Sequence, residues 1–588
     1  MEKNTLYKEF GLTFLLGGCI FLFFGWLYPF HLVYQEQYQL FLFTSDYLAE
    51  TVGRPGGMVN YLGRFITQFF YFPWIGAALV ALLLVFLQRE MAGIMKRFRN
   101  SSVCLPLSCI PSLFYWVLLC DENMMPGGIF ALLLVLAGAL VYFSLPSVKV
   151  RGIYGVVMIP ALYWFTGGAF LIFVGLSLCW EIQVKKESGK WVWSMLAAFL
   201  LISLLLPLAA KLWLVQYPLS KLWTGAEYYR FRHIFPNVIP LVWMMVVLIP
   251  VVSRYLPEKS AKQGGVWFTG LVVLLFGCTG YLVYTNADFR KEEVMRYDYY
   301  ARHRQWSKII AYADQKTPDA PLSVACLNLA LAKEGILGER MFSYFQNGPE
   351  GLMPSFLIDF TVPMTTNEIY YHLGFINISE RFVFEAMESI PDFQKSARAV
   401  KRLAEANLIM GEYAVAAKYL KILQQTWVYR KWATHALTVL GDDERIEAHP
   451  EWGMLRKYRL QQDFLFSEQE KDMMLGLLLQ QDYTNRMAFD YLMAYTLLTK
   501  NLPHFQPYFR LGEPLTLQGI PKAYQEALIY IWGLTNNDPS RSIPYPISST
   551  VKSRVEAYRK IYTTYPNPEP MLKSQFSDTY WYYYHFRK

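Results

Sequence analysis

The stretch GIYGVVMIPALYWFTGGAFLIFVGLSLCW, residues 152–180, decides how the N-terminal half of this 588-residue chain is threaded. Its residues are mostly apolar, and Thr166, Gly167 and Gly168 stand in the middle. They form either one long helix or two short helices that reverse at the glycines. Each arm of such a hairpin has about 15 residues and reaches about 22 Å at the helical rise. A turn that lies within a bilayer must be surrounded by protein or by a water-filled cavity.

Seven further apolar stretches are near the length that a bilayer core requires. They lie at 11–30, 72–88, 102–119, 129–145, 191–214, 237–253 and 265–284. Trp26, Trp74 and Trp191 stand near their ends, as aromatic residues at a membrane interface do. The first stretch lacks a small-residue cleavage site, so we interpret it as an uncleaved first helix.

The distribution of basic residues selects the hairpin, because cytoplasmic loops carry an excess of Lys and Arg. With a hairpin, most basic loop residues fall on one side: Arg89, Lys96, Arg97, Arg99, Lys149, Arg151, Lys185, Lys186, Lys190, Arg254, Lys259 and Lys262. The opposite loops hold Arg54, Arg64, Lys221, Arg230 and Arg232. We therefore predict about nine membrane segments including the short hairpin, a cytoplasmic N-terminus and a C-terminal half outside the cytoplasm.

Charge separates the chain into two unlike halves. Residues 1–285 carry 20 Lys/Arg and 12 Asp/Glu, whereas the remainder carries 35 and 34. This division is typical of a polytopic membrane domain, here 1–285, joined to a soluble domain, here 286–588. The excess positive charge is spread over short loops, which argues against a nucleic-acid-binding protein. Six of the seven cysteines lie in or beside apolar segments, so the sequence predicts neither a disulfide framework nor a CxxC metal site.

The C-terminal half shows helical periodicity in pairs of helices and few strand signals. In the clearest pair, at 397–426, small residues such as Ala404 and Ala406 precede a turn at Gly411, and Tyr413, Ala416 and further alanines follow. This pair resembles a tetratricopeptide repeat. The spacing of other pairs is irregular, so we predict a degenerate α-solenoid and an all-α protein as a whole. A protein or glycan partner is expected for such a solenoid.

The predicted topology gathers several polar residues on the outer side. They are Glu36, Asp46 and Glu50 in the first outer loop, Asp121 and Glu122 in the second, and Glu227, Arg230, Arg232 and His233 in the third. The first loop is long and apolar, and we expect it to form helices that lie in the membrane interface.

This arrangement resembles the integral-membrane glycosyltransferases of the C superfamily, which have an acidic residue soon after the first helix and often a second acidic motif between helices three and four. By that resemblance Glu36 or Asp46, together with Asp121, would supply the catalytic carboxylate. Arg230, Arg232 and His233 would contact the phosphate of a polyprenyl-phosphate sugar donor. Asp121 and Glu122 would hold Mg²⁺ or Mn²⁺. No Asp-x-Asp motif occurs in the first loop.

The segments Gln35–Phe43, Pro55-Gly56-Gly57 and Thr67–Phe70 resemble an uncharacterised family of large Bacteroidota membrane proteins. That resemblance implies an inner-membrane protein with a periplasmic C-terminal domain, in contact with membrane lipid, but it implies no mechanism.

Simpler interpretations of the same residues stand beside the enzymatic one. Asp121 and Glu122 also fit a polar turn between helices, and Glu36 also fits a pair with an interfacial arginine. Arg230, Arg232 and His233 also fit a site for anionic lipid head groups without catalysis. The rival function is a non-enzymatic membrane-anchored scaffold whose solenoid binds envelope partners. The enzymatic hypothesis requires Glu36 or Asp46 to converge with Asp121, Glu122 and Arg230 or Arg232 on one cavity.

Overall fold

The computed structural model describes all residues except 1, 100, 102–103, 187–188, 225–227, 232–233, 257–260, 358, 392–393, 518, 537–541 and 588, and it leaves the side chains of 2–6 and 261–263 undescribed. Helices account for 77% of the chain. Extended pairing within the described residues is limited to one isolated bridge between Met124 and Tyr229. The predicted all-α class is confirmed.

The chain forms two compact units. The first comprises Met1–Glu292 with Pro391–Ala397 and Gln425–Arg430, and the second comprises Glu293–Ile390, Arg398–Gln424 and Lys431–Lys588. The division falls at Glu292 rather than at 285. It also differs from two contiguous domains, because two short stretches of the C-terminal half belong to the first unit.

The first unit is built from long apolar helices and shorter helices between them. Its α-helices are Glu2–Leu22, Pro29–Gln37, Ser45–Val52, Gly57–Thr67, Pro73–Phe98, Ile110–Leu118, Gly127–Ser144, Val148–Thr166, Phe170–Cys179, Lys190–Trp213, Leu219–Thr224, Val238–Tyr255 and Ala261–Asn286. Among the described residues, seven helical stretches are long and apolar enough to cross a membrane, and the stretch Leu105–Leu118 is a shorter apolar helix. Residues 102–119, predicted to be a full span, therefore supply only this shorter helix.

The chain reverses within the decisive stretch at 152–180. Gly167 has φ +63°, between helices Val148–Thr166 and Phe170–Cys179. Near the open end, Arg151 Nε donates to Glu181 Oε1 at 2.6 Å, although these residues are 30 positions apart. A continuous helix would separate them by about 45 Å. The structure therefore forms the hairpin.

Protein surrounds the turn of this hairpin. A Cβ on Gly168 would lie 2.5 Å from the carbonyl oxygen of Trp223, so only glycine fits there. The hydroxyl of Tyr228 donates a hydrogen bond to the carbonyl of Thr166. The backbone N–H of Gly56 donates a hydrogen bond to the carbonyl of Trp164 at 2.7 Å. The turn thus meets the condition for irregular backbone at membrane depth.

The loops predicted to share a side contact one another. On the basic side, Glu9 pairs with Lys96 at 2.6 Å, and Arg99 Nη1 donates to the carbonyl of Arg254 at 3.0 Å. On the other side, residues 28–38 contact 119–124 and 288–292, and 123–125 contact 228–230. Loops that were predicted to share a side are therefore in contact, whereas the number of spans and their orientation stay predictions.

Arg151 does not lie in a loop, as the count of basic residues assumed. It lies in helix Val148–Thr166, and its side chain and that of Glu181 are both 0% exposed. Tyr142 also donates its hydroxyl to Glu181, at 3.0 Å. The buried charges are thus paired and hydrogen-bonded, as burial requires.

The second unit is built from helices and the loops that connect them. It contains all or most of the α-helices Trp306–Gln315, Pro321–Lys333, Leu337–Arg340, Thr361–Leu373, Ile376–Glu388, Ala397–Met410, Tyr413–Gln424, Arg430–Thr438, Asp443–Ala448, Trp452–Tyr458, Lys471–Gln481, Arg486–Leu498, Leu502–Leu511, Lys522–Thr535, Ser549–Thr564, Glu569–Phe576 and Tyr580–Phe586. Helix Phe289–Arg302 begins in the first unit and continues into the second. The predicted pair at 397–426 forms two helices around Gly411, which has φ +87°. The tetratricopeptide-like solenoid stays a prediction.

Buried charges also stabilise the second unit. Arg398 donates to Asp298 Oδ2 at 2.7 Å and pairs with Glu368 Oε1 at 3.2 Å. Arg402 pairs with Glu368 and, at 3.0 Å, with Glu405. All five side chains are buried, and they join three helices through alternating positive and negative groups.

Candidate functional site

Asp121 is the centre of a closed turn. Its Oδ1 accepts hydrogen bonds from the backbone N–H of Asn123 at 2.9 Å and from Asn123 Nδ2 at 3.1 Å. Its Oδ2 accepts the hydroxyl proton of Tyr229 at 2.8 Å. Both carboxylate oxygens therefore hold protein donors, which is how a polar turn between two helices is stabilised.

Arg230 and Lys291 complete this turn. Arg230 is buried, donates to the carbonyl of Glu122 at 3.1 Å and stacks on the ring of Tyr38 at 3.2 Å. Lys291 Nζ lies 2.9 Å from Glu122 Oε1. Burial acts to raise the pKa of Glu122, but the ammonium group of Lys291 and neighbouring hydrogen bonds outweigh it and hold that pKa below its ordinary value.

The helix Pro29–Gln37 is hydrogen-bonded to residues on either side of the acidic turn. The carboxylate of Glu292 accepts the backbone N–H groups of Phe30 and His31, at 2.8 and 2.9 Å, and so caps the N-terminus of this helix. His31 Nε2 donates to the carbonyl of Leu119 at 2.9 Å. Burial lowers the pKa of His31 to about 4, so the ring is neutral at neutral pH.

The structure brings together three of the predicted site residues, namely Asp121, Glu122 and Arg230. The first-loop carboxylates lie in other surroundings. Glu36 is buried and lines a separate cavity of only about 10 Å³, beside Gln68. Asp46 is exposed in the first turn of helix Ser45–Val52, where it accepts a weak hydrogen bond from Ser45 Oγ at 3.4 Å. The contacts described here do not join either carboxylate to the acidic turn, and the convergence that the enzymatic hypothesis required stays a prediction.

Other predicted site residues lie outside the described part of the chain, namely Glu227, Arg232 and His233. Among the residues that the structure describes, no three His, Cys, Asp or Glu side chains are grouped to hold a metal ion. The donors on Asp121 and the ammonium group beside Glu122 do not suit a divalent cation, because Mg²⁺ and Mn²⁺ prefer unoccupied carboxylate oxygens and water. The expected Mg²⁺ or Mn²⁺ site is thus not supported by this geometry.

Replacing Asp121 by alanine is expected to destabilise the first unit by about 1–3 kcal/mol, because the hydroxyl of Tyr229 and two amide donors lose their acceptor. Thermal unfolding of the purified protein measures this change. Asp46→Ala, which removes an exposed carboxylate, is the control and should leave stability within about 0.5 kcal/mol. If Asp121→Ala abolished a transfer activity while the melting temperature stayed the same, Asp121 would be catalytic rather than structural.

A larger polar cavity lies elsewhere in the first unit, beside helices Ser45–Val52 and Gly57–Thr67. It has a volume of about 470 Å³, and three cationic side chains and one carboxylate line it: Arg54, Arg64, Lys395 and Glu50. We call it the first-loop cavity. Its size falls within the range of small-molecule sites.

Helix Ser45–Val52 and the turn after it supply one wall of this cavity. Tyr47, Glu50, Thr51 and Arg54 line it. Their spacing of three, one and three places them on one helical face, whereas Asp46 is not among the lining residues. Tyr47 accepts a hydrogen bond from Arg64 Nη1 at 3.4 Å. The helical spacing of these lining residues is visible in the sequence, but a prediction based on acidic motifs alone does not identify them.

Gln39 lies at the base of the first-loop cavity. It is 5% exposed, and its Nε2 donates to the carbonyl of Arg64 at 2.8 Å. Its Oε1 is buried without a hydrogen-bond partner in the structure. A buried amide oxygen without a donor carries a free-energy cost, which a ligand with a hydroxyl group would relieve.

Taken together, the fold defines a helical protein with seven membrane-length apolar helices in one unit and a second all-helical unit. Residues 5–587 match the model of a family of unknown function, DUF6057, and the chain belongs to that family. The predicted membership of an uncharacterised family is thus confirmed. Comparison of the chain with curated proteins and with solved structures gave no match.

Proposed function

We propose that this protein is a membrane glycosyltransferase that takes a sugar from a polyprenyl-phosphate donor on the outer face of the cytoplasmic membrane, and that the first-loop cavity is its donor site. The observation that carries the proposal is the composition of this cavity. Three cations suit a phosphate group, and one carboxylate beside them suits acid–base chemistry.

The surroundings of the cavity favour a donor that is anchored in lipid. Leu48 and Phe43 are each 42% exposed, on and beside the helix that lines the cavity. Such apolar exposure next to polar lining is typical of helices that lie in a membrane interface. A polyprenyl chain would stay in the bilayer while its phosphate reached Arg54 and Arg64.

Glu50 takes the role that Glu36, Asp46 and Asp121 were expected to fill. In the proposed reaction Glu50 accepts the proton of the acceptor hydroxyl, and that oxygen forms a bond to the anomeric carbon. The bond between this carbon and the phosphate oxygen breaks, and the cations stabilise the polyprenyl phosphate that leaves. Arg230 has a structural role in this scheme.

Two substitutions test binding and transfer separately, with the protein in lipid nanodiscs. Arg54→Gln is expected to weaken binding of polyprenyl phosphate at least tenfold, because it removes one charge-assisted contact with phosphate. Glu50→Gln is expected to leave that binding within about twofold and to lower transfer from a polyprenyl-phosphate sugar by about 10²–10⁴-fold.

Lys211→Gln is the matched control, since it removes an exposed cation that does not line the cavity. Unchanged binding by Arg54→Gln would contradict the proposal. If binding requires Arg54 but Glu50→Gln transfers sugar as fast as the unaltered protein, the cavity binds phosphate and Glu50 is not the base.

The alternative is a membrane-anchored scaffold without catalytic activity. One observation favours it: the carboxylates of the acidic turn and the buried charges around Arg398 are engaged in internal pairs. A scaffold would tolerate both Arg54→Gln and Glu50→Gln and would depend on surface residues of the second unit.

A further inference from the structure

We infer that the second unit binds an extended polypeptide segment of another protein along residues 460–466. This inference concerns a different site from the proposed transfer and does not depend on it. It rests on a cavity, on peptide groups without partners and on the side chains that border them.

Residues 460–466 connect helices Trp452–Tyr458 and Lys471–Gln481 without forming a helix. After a bend at Gln462, the burial of the side chains alternates: Phe464 and Phe466 are partly buried, whereas Asp463 and Leu465 are exposed. Phe464 lies 6.2 Å from the ring of Phe375, and Phe466 lies 5.5 Å from that of Tyr370. This alternation is the pattern of a strand with one face on a core.

Within the described part of the chain, the peptide groups of this segment have no hydrogen-bond partner. The N–H of Arg459, just before it, donates to the carbonyl of Leu455 at 3.0 Å, and the N–H of Glu470, just after it, donates to Ser467 Oγ at 3.2 Å. Between them, the described structure contains no hydrogen bond to an N–H or C=O of 460–466. An unpaired strand of this kind is a template for pairing with another chain.

A cavity of about 750 Å³ lies beside the segment within the second unit. Residues 460–464 form one side of it, and Gly374–Ile378 form another, at the start of helix Ile376–Glu388. That helix has no side-chain cap at its N-terminus, and the N–H of Ile376 donates to the carbonyl of Gly374 at 2.9 Å. Within the described structure the next two amide groups, of Asn377 and Ile378, are left as donors in the cavity wall. Arg459 also lines the cavity, and its buried Nε lacks a partner.

These groups fit a polypeptide better than a glycan. An extended segment presents main-chain donors and acceptors at about 3.3 Å per residue, a spacing that a second strand matches and a sugar chain does not. The four residues that follow the bend, 463–466, therefore pair with about four residues of such a peptide. Glu412 and Asp463 border the cavity and favour a peptide that carries Lys or Arg.

Selection from a random octapeptide library on the full chain in nanodiscs tests the inference, with empty nanodiscs as the counter-selection. Selected peptides are expected to contain a basic residue and to slow amide hydrogen exchange in 460–466 at least tenfold. Asp463→Pro, which removes one main-chain donor, should weaken their binding at least tenfold relative to Asp463→Asn, which keeps it.

A second measurement does not depend on the folding of the proline variant. Peptides with N-methyl groups at alternate positions should bind the unaltered chain at least tenfold more weakly than their parents. The inference is overturned if no peptide protects 460–466, if N-methylation has no effect, or if a chito-oligosaccharide protects the segment and peptides do not.

Discussion

Arg151→Met is expected to destabilise the first unit by about 3–5 kcal/mol, because Glu181 would be left as a buried charge without a counter-charge. Both side chains are 0% exposed, and Arg151 approaches the carboxylate through Nε at 2.6 Å and Nη2 at 3.1 Å. For a unit of this size the change corresponds to a fall in Tm of roughly 6–20 °C. Thermal unfolding of the purified protein in detergent measures it.

Lys149→Met is the matched control, because this exposed cation lies two residues earlier on the same helix. It should change stability by less than about 0.5 kcal/mol. The double variant Arg151→Met, Glu181→Met should recover most of the loss, since it replaces a buried ion pair by apolar side chains. A melting temperature of Arg151→Met equal to that of the control would show that the pair does not hold the hairpin closed.

Arg398→Met is expected to have an effect of similar size on the second unit, again about 3–5 kcal/mol. Arg398 is the partner of both Asp298 and Glu368, and the substitution leaves the first of these carboxylates without its ion pair. Hydrogen exchange of helix Thr361–Leu373, which carries Glu368, measures the loss within the intact chain.

The pH dependence follows from the same cluster. Burial alone would raise the pKa of Glu368, but the guanidinium groups of Arg402 and Arg398 outweigh it and lower that pKa to about 2. The pKa of a glutamate in the unfolded chain is about 4.3. The stabilisation by these ion pairs is therefore complete above about pH 4.3 and is lost as the pH falls toward 2. The total loss is about 3 kcal/mol.

Arg445→Met is the control for Arg398→Met, because Arg445 forms an exposed pair with Asp442 and should contribute less than about 1 kcal/mol. If Arg398→Met exchanged as slowly as Arg445→Met, or if the protection factors of this helix did not change between pH 4.5 and 2, the buried cluster would not stabilise the unit.

The hairpin at 152–180 was predictable because positive loop charge reports the direction in which a helix is threaded. The pair of Arg151 with Glu181 was not, since a contact across 30 residues leaves no local pattern. The count of basic residues therefore gave the right reversal while placing Arg151 in a loop. The remaining basic loop residues were numerous enough to predict the hairpin without Arg151.

The candidate site was only partly predictable. Asp121 and Arg230 were expected on one side and do meet, but side-chain direction within the first outer loop decides which carboxylate faces a cavity. Glu50 and Arg54 could have been found from their helical spacing. Lys395 could not, because it comes from a stretch of the C-terminal half that packs within the first unit.

The cap that Glu292 places on helix Pro29–Gln37 has a consequence for biosynthesis. The two partners are about 260 residues apart in the chain. At a synthesis rate of about 5–20 residues per second, Glu292 is synthesised roughly 13–50 s after the first outer loop. Its final structure therefore forms only after the last apolar helix has been made. Nascent or prematurely terminated chains that lack residue 292 present this helix without its cap.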